Sequence, residues 1–280
     1  MPFFSASLLI LLFTTTFQPL PTEVEYGICL QTCLPMRKIA DHKSEQVSQM
    51  VFGDICQILQ TVGEWSEIEV GYDQYKGWLP TKSITKIDAD KYQKIRQEAT
   101  SVVVGKGNYV VCEGVKIDVP AGATLPATFK NKFIISGKHY IFHGKTASPA
   151  SLDKAKMLET AQTFLGVPYL WGGKSPIGWD CSGFVQMVGK MHGLKLWRDS
   201  YQQAEQGEKI AFKDAQAGDL AFFQRKAEGD GKVIHVGFYL GDGKIIHAAD
   251  KVQINTLDSI GIYREDLQKY THYLKFFRRH

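Results

Sequence analysis

Tyr169-Leu170-Trp171-Gly172-Gly173-Lys174-Ser175-Pro176-Ile177-Gly178-Trp179-Asp180-Cys181-Ser182-Gly183-Phe184 is a glycine- and proline-rich loop that stops at a cysteine. Beyond it, Phe184, Val185, Val188 and Met191 recur at helical spacing, and Gly193 is a natural stop. The spacing predicts a helix that begins at Cys181. The first turn of a helix carries backbone N–H groups without partners at the positive end of the dipole. A free thiol is only roughly 3% thiolate at pH 7, and such a position lowers its pKa. The same N–H groups suit a developing oxyanion. A lone cysteine is more often a small buried residue, so the reading needs a base.

Eight histidines are available, and two share one segment, Val233-Ile234-His235-Val236-Gly237-Phe238-Tyr239-Leu240-Gly241-Asp242-Gly243-Lys244-Ile245-Ile246-His247-Ala248-Ala249. Two apolar runs flanking Gly-Asp-Gly predict a hairpin. Pairing Leu240 with Lys244 across a three-residue turn puts His247 opposite Gly237 and makes His235 its diagonal neighbour on one face. A slip of one residue would separate the two histidines. Cys181, His235 and His247 then form a candidate nucleophile, base and orienting group.

The ordered set Tyr-x-Trp-Gly-Gly, Asp-Cys-Ser-Gly-Phe, Ala-Gly-Asp-Leu-Ala-Phe-Phe (217–223), His-Val-Gly-Phe-Tyr-Leu (235–240) and Ile-Ile-His-Ala-Ala (245–249) resembles the NlpC/P60 family of papain-like cysteine peptidases that cleave cell-wall peptides. The resemblance covers residues 151–280. It implies Cys181 as nucleophile, His235 as base, His247 as third member, and Tyr169 with the N–H of Cys181 as oxyanion donors. The cysteine-before-histidine order argues against the circularly permuted relatives, among them lipid acyltransferases.

A chain of 280 residues with 44% apolar content has material for two or three units with a core. A net charge of +4, from 33 basic and 29 acidic residues, gives no case for nucleic acid. Residues 1–22 carry the apolar run Leu8–Phe13, too short to span a bilayer but suited to a signal peptide, though no Lys or Arg precedes it. Export to the periplasm or outside the cell is expected if this leader acts, and a cytoplasmic place otherwise. No stable membrane insertion is expected. The cysteines at 29, 33, 56, 112 and 181 are too few and too uneven for a disulfide framework, and Cys29 and Cys33 lack a second ligand pair for zinc. The four outside the loop are expected in the core.

Residues 23–88 alternate short apolar runs with turn signals: Val47–Val51, Ile55–Leu59, Trp65–Val70 and Trp78-Leu79-Pro80. This predicts a small all-β barrel and is similar to bacterial SH3 (SH3b) domains. Trp65, Tyr72, Tyr75 and Trp78 are either a peptide-binding face or core and rim. Residues 89–97 are a linker or short helix. A second β-rich stretch over 98–146, with Val102–Val104 and Tyr109–Cys112 separated by Gly105 and Gly107, resembles a divergent second SH3b module. After a linker, Ser151 is expected to cap a helix through Leu165, with Leu152, Ala155, Leu158, Ala161 and Leu165 inward. Asp199-Ser200 precede a short helix, four strands follow, and Arg264–Tyr270 reads as a helical turn before a last strand. The expected whole is an α+β papain-like catalytic domain over 151–280 behind two SH3b-like barrels.

Two SH3b modules before an NlpC/P60 domain resemble the YkfC-type branch, the γ-D-glutamyl-L-diamino acid endopeptidases or dipeptidyl-peptidases VI. The branch implies that the first module closes one end of the cleft to admit murein peptides with a free N-terminal L-Ala. It implies substrate contacts by Tyr75, Trp171, Asp180, Ser182, Asp199 and Ser200, and a carboxylate for the amine, with Asp41 and Glu45 as candidates. No metal or organic cofactor is implied. The chemistry expected is acyl transfer through a thioester at the γ-D-Glu carbonyl. A peptidoglycan amidase or acyltransferase on the same scaffold, or a non-catalytic wall-peptide-binding protein, are the other classes.

Overall fold

The computed structural model of the chain describes residues 24–98, 101–126, 131–148, 152–228 and 231–280. The expected leader over residues 1–22, and Ser151, lie outside these. Strands β1 (Glu25–Ile28), β2 (Cys33–Arg37), β3 (Gln46–Val51), β4 (Ile55–Val62), β5 (Trp65–Val70), β6 (Lys76–Pro80) and β7 (Thr85–Ile87) form one antiparallel sheet in the order β3-β2-β6-β5-β4-β1-β7. The period-two pattern is clear in β5, where Ser66, Ile68 and Val70 point inward. Helix α1 (Ala89–Glu98) follows and buries Tyr92 and Ile95, with Tyr92 stacked on Tyr26 at 4.2 Å.

A second sheet holds β8 (Ser101–Cys112), β9 (Val115–Asp118), β10 (Thr124–Leu125), β11 (Lys132–Ile135) and β12 (Lys138–Ala147). Gly105 and Gly107 do not interrupt the chain between separate strands as the sequence suggests. β8 runs through both, and β12 answers with a register shift between His143 and Lys145. The Asn108 side chain spans the irregularity, donating to the carbonyls of Val104 and Gly105 and accepting from the Lys145 N–H. The ladder bonds lost at the bulge are thereby replaced.

The C-terminal unit begins with α2 (Lys154–Gln162), capped by Asp153, whose side chain accepts from the Lys156 N–H. Its inward face is Met157, Leu158 and Ala161, continued by Phe164, whereas Leu165 and Ala155 are exposed. Leu158 and Ala161 of the expected stripe stay inward, whereas Leu152 and Leu165 lie outside the shorter helix, Leu152 half-buried against the core. A small hairpin, β13 (Lys174–Ser175) and β14 (Gly178–Trp179), leads into α3 (Cys181–Met191) and then the short α4 (Ser200–Gln203). Strands β15 (Glu208–Ile210), β16 (Leu220–Gln224), β17 (His235–Gly241), β18 (Lys244–Ala248), β19 (Val252–Leu257), β20 (Gly261–Arg264) and β21 (Lys269–Arg279) lie in the order β15-β21-β16-β17-β18-β19-β20. β20 also pairs with β21, so six of these strands close on themselves. The expected helical turn after Arg264 is the tip of the β20–β21 hairpin, with Gln268 at φ 51°.

All eleven residues of α3 are buried. Phe184 meets Phe238 of β17 and Trp179 edge-on, and the face carrying Met187 receives Gly122 of the second sheet. One continuous apolar cluster joins Ile28 and Phe52, Val103 and Phe133, and Phe184 and Val188. Polar contacts reinforce the docking of the first sheet. Buried Lys174 reaches Asp73 at 3.4 Å, buried Lys190 reaches Asp54 at 3.8 Å, and Gln186 donates to Asp73 at 3.0 Å. No helix among the described residues is long and apolar enough to cross a membrane.

Candidate active site

Asp180 caps α3 from outside and makes Cys181 its first residue. The Asp180 carboxylate accepts from the N–H groups of Gly183 at 2.6 Å and Gly172 at 3.0 Å, which ties the loop to the helix start. Arg198, 1% exposed, grips both carboxylate oxygens at 3.1 and 2.6 Å and also donates to the Ser182 hydroxyl. Its third arm donates to Ser48 of β3. Gly172 adopts φ 74°, and a side chain there would strike the Gln46 carbonyl of the first sheet.

The hairpin holds the expected register at its base, with Phe238 opposite Ile246 and Tyr239 opposite Ile245. The turn is tighter than a Leu240–Lys244 pairing gives. Gly241 pairs with Lys244 around Asp242-Gly243, both at positive φ, and Leu240 takes the bulge. His247 thus faces Gly237, where any Cβ would come within 2.8 Å of the His247 Cβ. His235 Nε2 and His247 Nδ1 stand 2.8 Å apart, and both rings are buried. Helix α3 packs against β17 and β18, which brings its first residue, Cys181, to the strands that carry the two histidines.

Two partners of this cluster had no signal in the hairpin. The Asn255 side chain on β19 contacts His247 Nε2 at 2.9 Å. The His272 ring on β21 stacks on His235 at 4.1 Å. Asn255 comes from β19, the strand paired next to β18, and His272 from β21, which lies beyond β16 in the sheet, so neither belongs to the hairpin that carries His235 and His247.

The electrostatics run against the lowered thiol expected at a helix start. Burial, and next the Asp180 carboxylate, push the Cys181 thiol up to about 12, and the Val236 backbone bond and Arg198 offset this only in small measure. Burial pushes His235 well below the ordinary imidazole value, with His272 and His247 adding to the effect. Burial likewise pushes His247 and His272 down to about 4. These directions favour a neutral thiol beside neutral imidazoles.

A cleft of about 730 Å³ opens over Cys181 and His235. Its walls include Tyr75, Tyr169, Trp171, Asp180, Ser182, Asp199 and Ser200, so every expected catalytic or substrate-contacting residue except His247 lines it. His247 sits behind His235, as an orienting group should. Of the aromatic candidates in the first sheet, Tyr75 lines the cleft, while Tyr72 lies under Lys190 at 4.4 Å in a separate cavity. Burial raises the Asp199 pKa, and Arg198 with the nearby Tyr75 and Tyr201 hydroxyls offsets this. Glu45 lines the cleft and accepts from the Trp171 indole at 2.9 Å, whereas Asp41 accepts from the Lys43 N–H in its own turn. The carboxylate oxygens of Asp180 are already engaged by the loop and Arg198, so Asp180 faces the cleft with its acceptors occupied. Among the described residues no group of three or more His, Cys, Asp or Glu could hold a metal ion.

A thiol at a helix start, backed by a histidine pair on a closed antiparallel sheet, is the layout of a papain-like α+β fold. The chain belongs to the NlpC/P60 family, which it matches over residues 166–270, and it carries a bacterial dipeptidyl-peptidase Sh3 domain over 36–84. It is similar to a γ-D-glutamyl-L-lysine dipeptidyl-peptidase of Bacillus subtilis (strain 168), 30% identical over 79% of this chain and 78% of that one. It is also 27% identical to a dipeptidyl-peptidase 6 of Lysinibacillus sphaericus, over 81% of this chain and 90% of the relative. The crystal structure of an NlpC/P60 family protein from Bacillus cereus ATCC 10987 superposes with a TM-score of 0.75 at 21% identity, covering 91% of this chain and 99% of the other, which shows the shared fold. Membership and these relatives define the chain as a peptidase.

Proposed function

We propose that this peptidase is a cysteine endopeptidase that hydrolyses the γ-D-Glu–diamino acid bond of murein peptides bearing a free N-terminal L-Ala. The observation that carries the reading is that Cys181 and His235, with His247 behind, line a cleft to which Glu45 and Tyr75 of the first module also contribute. The named activity of the Bacillus subtilis relative supports the bond chosen.

In this reading the neutral thiol gives its proton to His235 as sulfur attacks the γ-carbonyl carbon. The thiolate is thus made when substrate is present, since burial keeps the resting thiol protonated. The carbonyl electron pair moves to oxygen and is held by the Cys181 N–H and the Tyr169 hydroxyl. Burial raises the Tyr169 pKa, which keeps it a donor. His235 returns the proton to the leaving amine, and a thioester remains. Water, deprotonated by His235, attacks the thioester and releases L-Ala-D-Glu and the thiol. Glu45, Tyr75 and Asp199 receive the terminal ammonium, and Trp171, Ser182 and Ser200 line the path of the dipeptide, with Asp180 fixing the loop. A site of buried acceptors for an ammonium rejects a blocked amine strongly. Export through residues 1–22 belongs to the same proposal and rests on the apolar run Leu8–Phe13 alone.

The test is mass spectrometry of wild type and Cys181→Ala with L-Ala-γ-D-Glu-L-Lys, its meso-diaminopimelate counterpart, and their N-acetylated forms. Release of L-Ala-D-Glu from free peptides only, lost in the variant, is expected. Equal cleavage of acetylated peptides would remove the role of Glu45, and no cleavage of any would remove the reading.

A further inference from the structure

His247 has two ring nitrogens, and both are engaged. Nδ1 meets His235 Nε2 at 2.8 Å, and Nε2 meets Asn255 Oδ1 at 2.9 Å. An amide oxygen only accepts, so His247 carries its proton on Nε2. Its Nδ1 is then a lone pair, which needs the proton of His235 on Nε2. That leaves His235 Nδ1 without a proton, and an unprotonated nitrogen is what a base for the Cys181 thiol requires. The opposite arrangement would end with a proton on His235 Nδ1 and no base.

We propose that Asn255 is a positioning residue that sets the tautomers of both histidines, acting through His247 on His235. This rests on the reading of His235 as base. Asn255 reaches the cluster because β19 pairs with β18 in a register that sets Gln253 opposite His247 and Asn255 opposite Ile245, a diagonal step away. Gln253 lies opposite His247 with its amide nitrogen unpartnered, and among the described residues the charged and aromatic groups around the two rings are engaged elsewhere. His272 stacks on the face of His235 and lies edge-on to His247, Arg264 is cationic and paired with Asp250 and Asp266, and Arg225 acts on His272.

Two substrate-free measurements test this: ¹⁵N chemical shifts of the histidine rings, and the pH dependence of Cys181 alkylation by iodoacetamide. In the wild-type protein at neutral pH, His235 and His247 are both expected as Nε2–H tautomers. A proton on His247 Nδ1 would overturn the proposal. Asn255→Leu is expected to slow alkylation and kcat by about 10- to 100-fold with KM unchanged, the size typical of a lost outer hydrogen-bond partner. An unchanged alkylation rate in a folded Asn255→Leu protein would also overturn it. Should that variant not fold, Asn255→Asp decides. The carboxylate still accepts, so the tautomers stay, but its charge favours imidazolium, and the acid limb of the alkylation profile moves to higher pH. An unmoved limb counts against the relay. Since neither measurement uses a peptide, a protein with this signature that cleaves no murein peptide would refute the proposed substrate and leave the relay standing.

Discussion

At Glu45, exchange for glutamine keeps an acceptor for the Trp171 indole and removes the charge that faces the cleft and pairs with Lys38 at 3.2 Å. Glu45→Gln is expected to raise KM for the free-amine peptide about 10- to 100-fold, the worth of one charged hydrogen bond, and so to narrow the gap between the free and the acetylated peptide. Steady-state kinetics on the two peptides would check this. Tyr169→Phe removes a donor used only when charge develops on oxygen, so kcat is expected to fall about 10²- to 10³-fold with little change in KM. The buried histidines fix a pH dependence of stability as well. His247 and His272 titrate near 6.5 when unfolded and at about 4 when folded. Between these values the unfolded chain binds more protons, so stability is full above pH 6.5 and is lost as pH falls toward 4. His247 alone would contribute about 3 kcal/mol. Urea titrations at pH 7 and pH 5 are expected to show the lower midpoint at pH 5, and His247→Asn to flatten the difference.

Among elements, the loop before α3 depends on one cation. Arg198 neutralises Asp180, orders Ser182 and reaches across to Ser48 on β3. Arg198→Met would leave Asp180 buried and unpaired, a loss of about 3–5 kcal/mol readable in urea unfolding. Arg198→Lys keeps the charge but not the two-pronged geometry, and kcat is expected to fall in it with a smaller loss of stability. Nothing in the sequence signalled this. Arg198 stands 18 residues beyond Asp180, in a connection without periodicity, and its partners span three elements. The places of Cys181 and of the histidine pair were legible because a capped helix start and a strand period are local rules. Asn255 and His272 were not, because Asn255 reaches His247 by a diagonal step from β19 and His272 reaches His235 from β21, beyond β16, outside the hairpin that the spacing described. The cap at Asp153 shows the finer limit: the stripe through Leu158 and Ala161 was legible, but the helix ends were not, and Leu165 falls beyond them.

Over the whole molecule, the apolar cluster that runs from Ile28 through Val103 to Val188, and the ion pairs at Lys174 and Lys190, tie the three units together. Calorimetry is expected to give one cooperative transition. Separate transitions for the first sheet and the last would contradict the docking described. Small all-β units with turn signals were readable along the chain, but how they dock was not, since Gly172 against Gln46 and Gly122 against Met187 are contacts of shape between distant segments. The charges sealed at that junction also bear on ancestry. Lys174, Gln186 and Lys190 sit in the catalytic unit, yet their partners Asp73 and Asp54 belong to the first sheet. In family members built without such a sheet these three positions would have lost the reason to be polar, so a drift to apolar residues there should mark the chains in which the module was never acquired or has been shed.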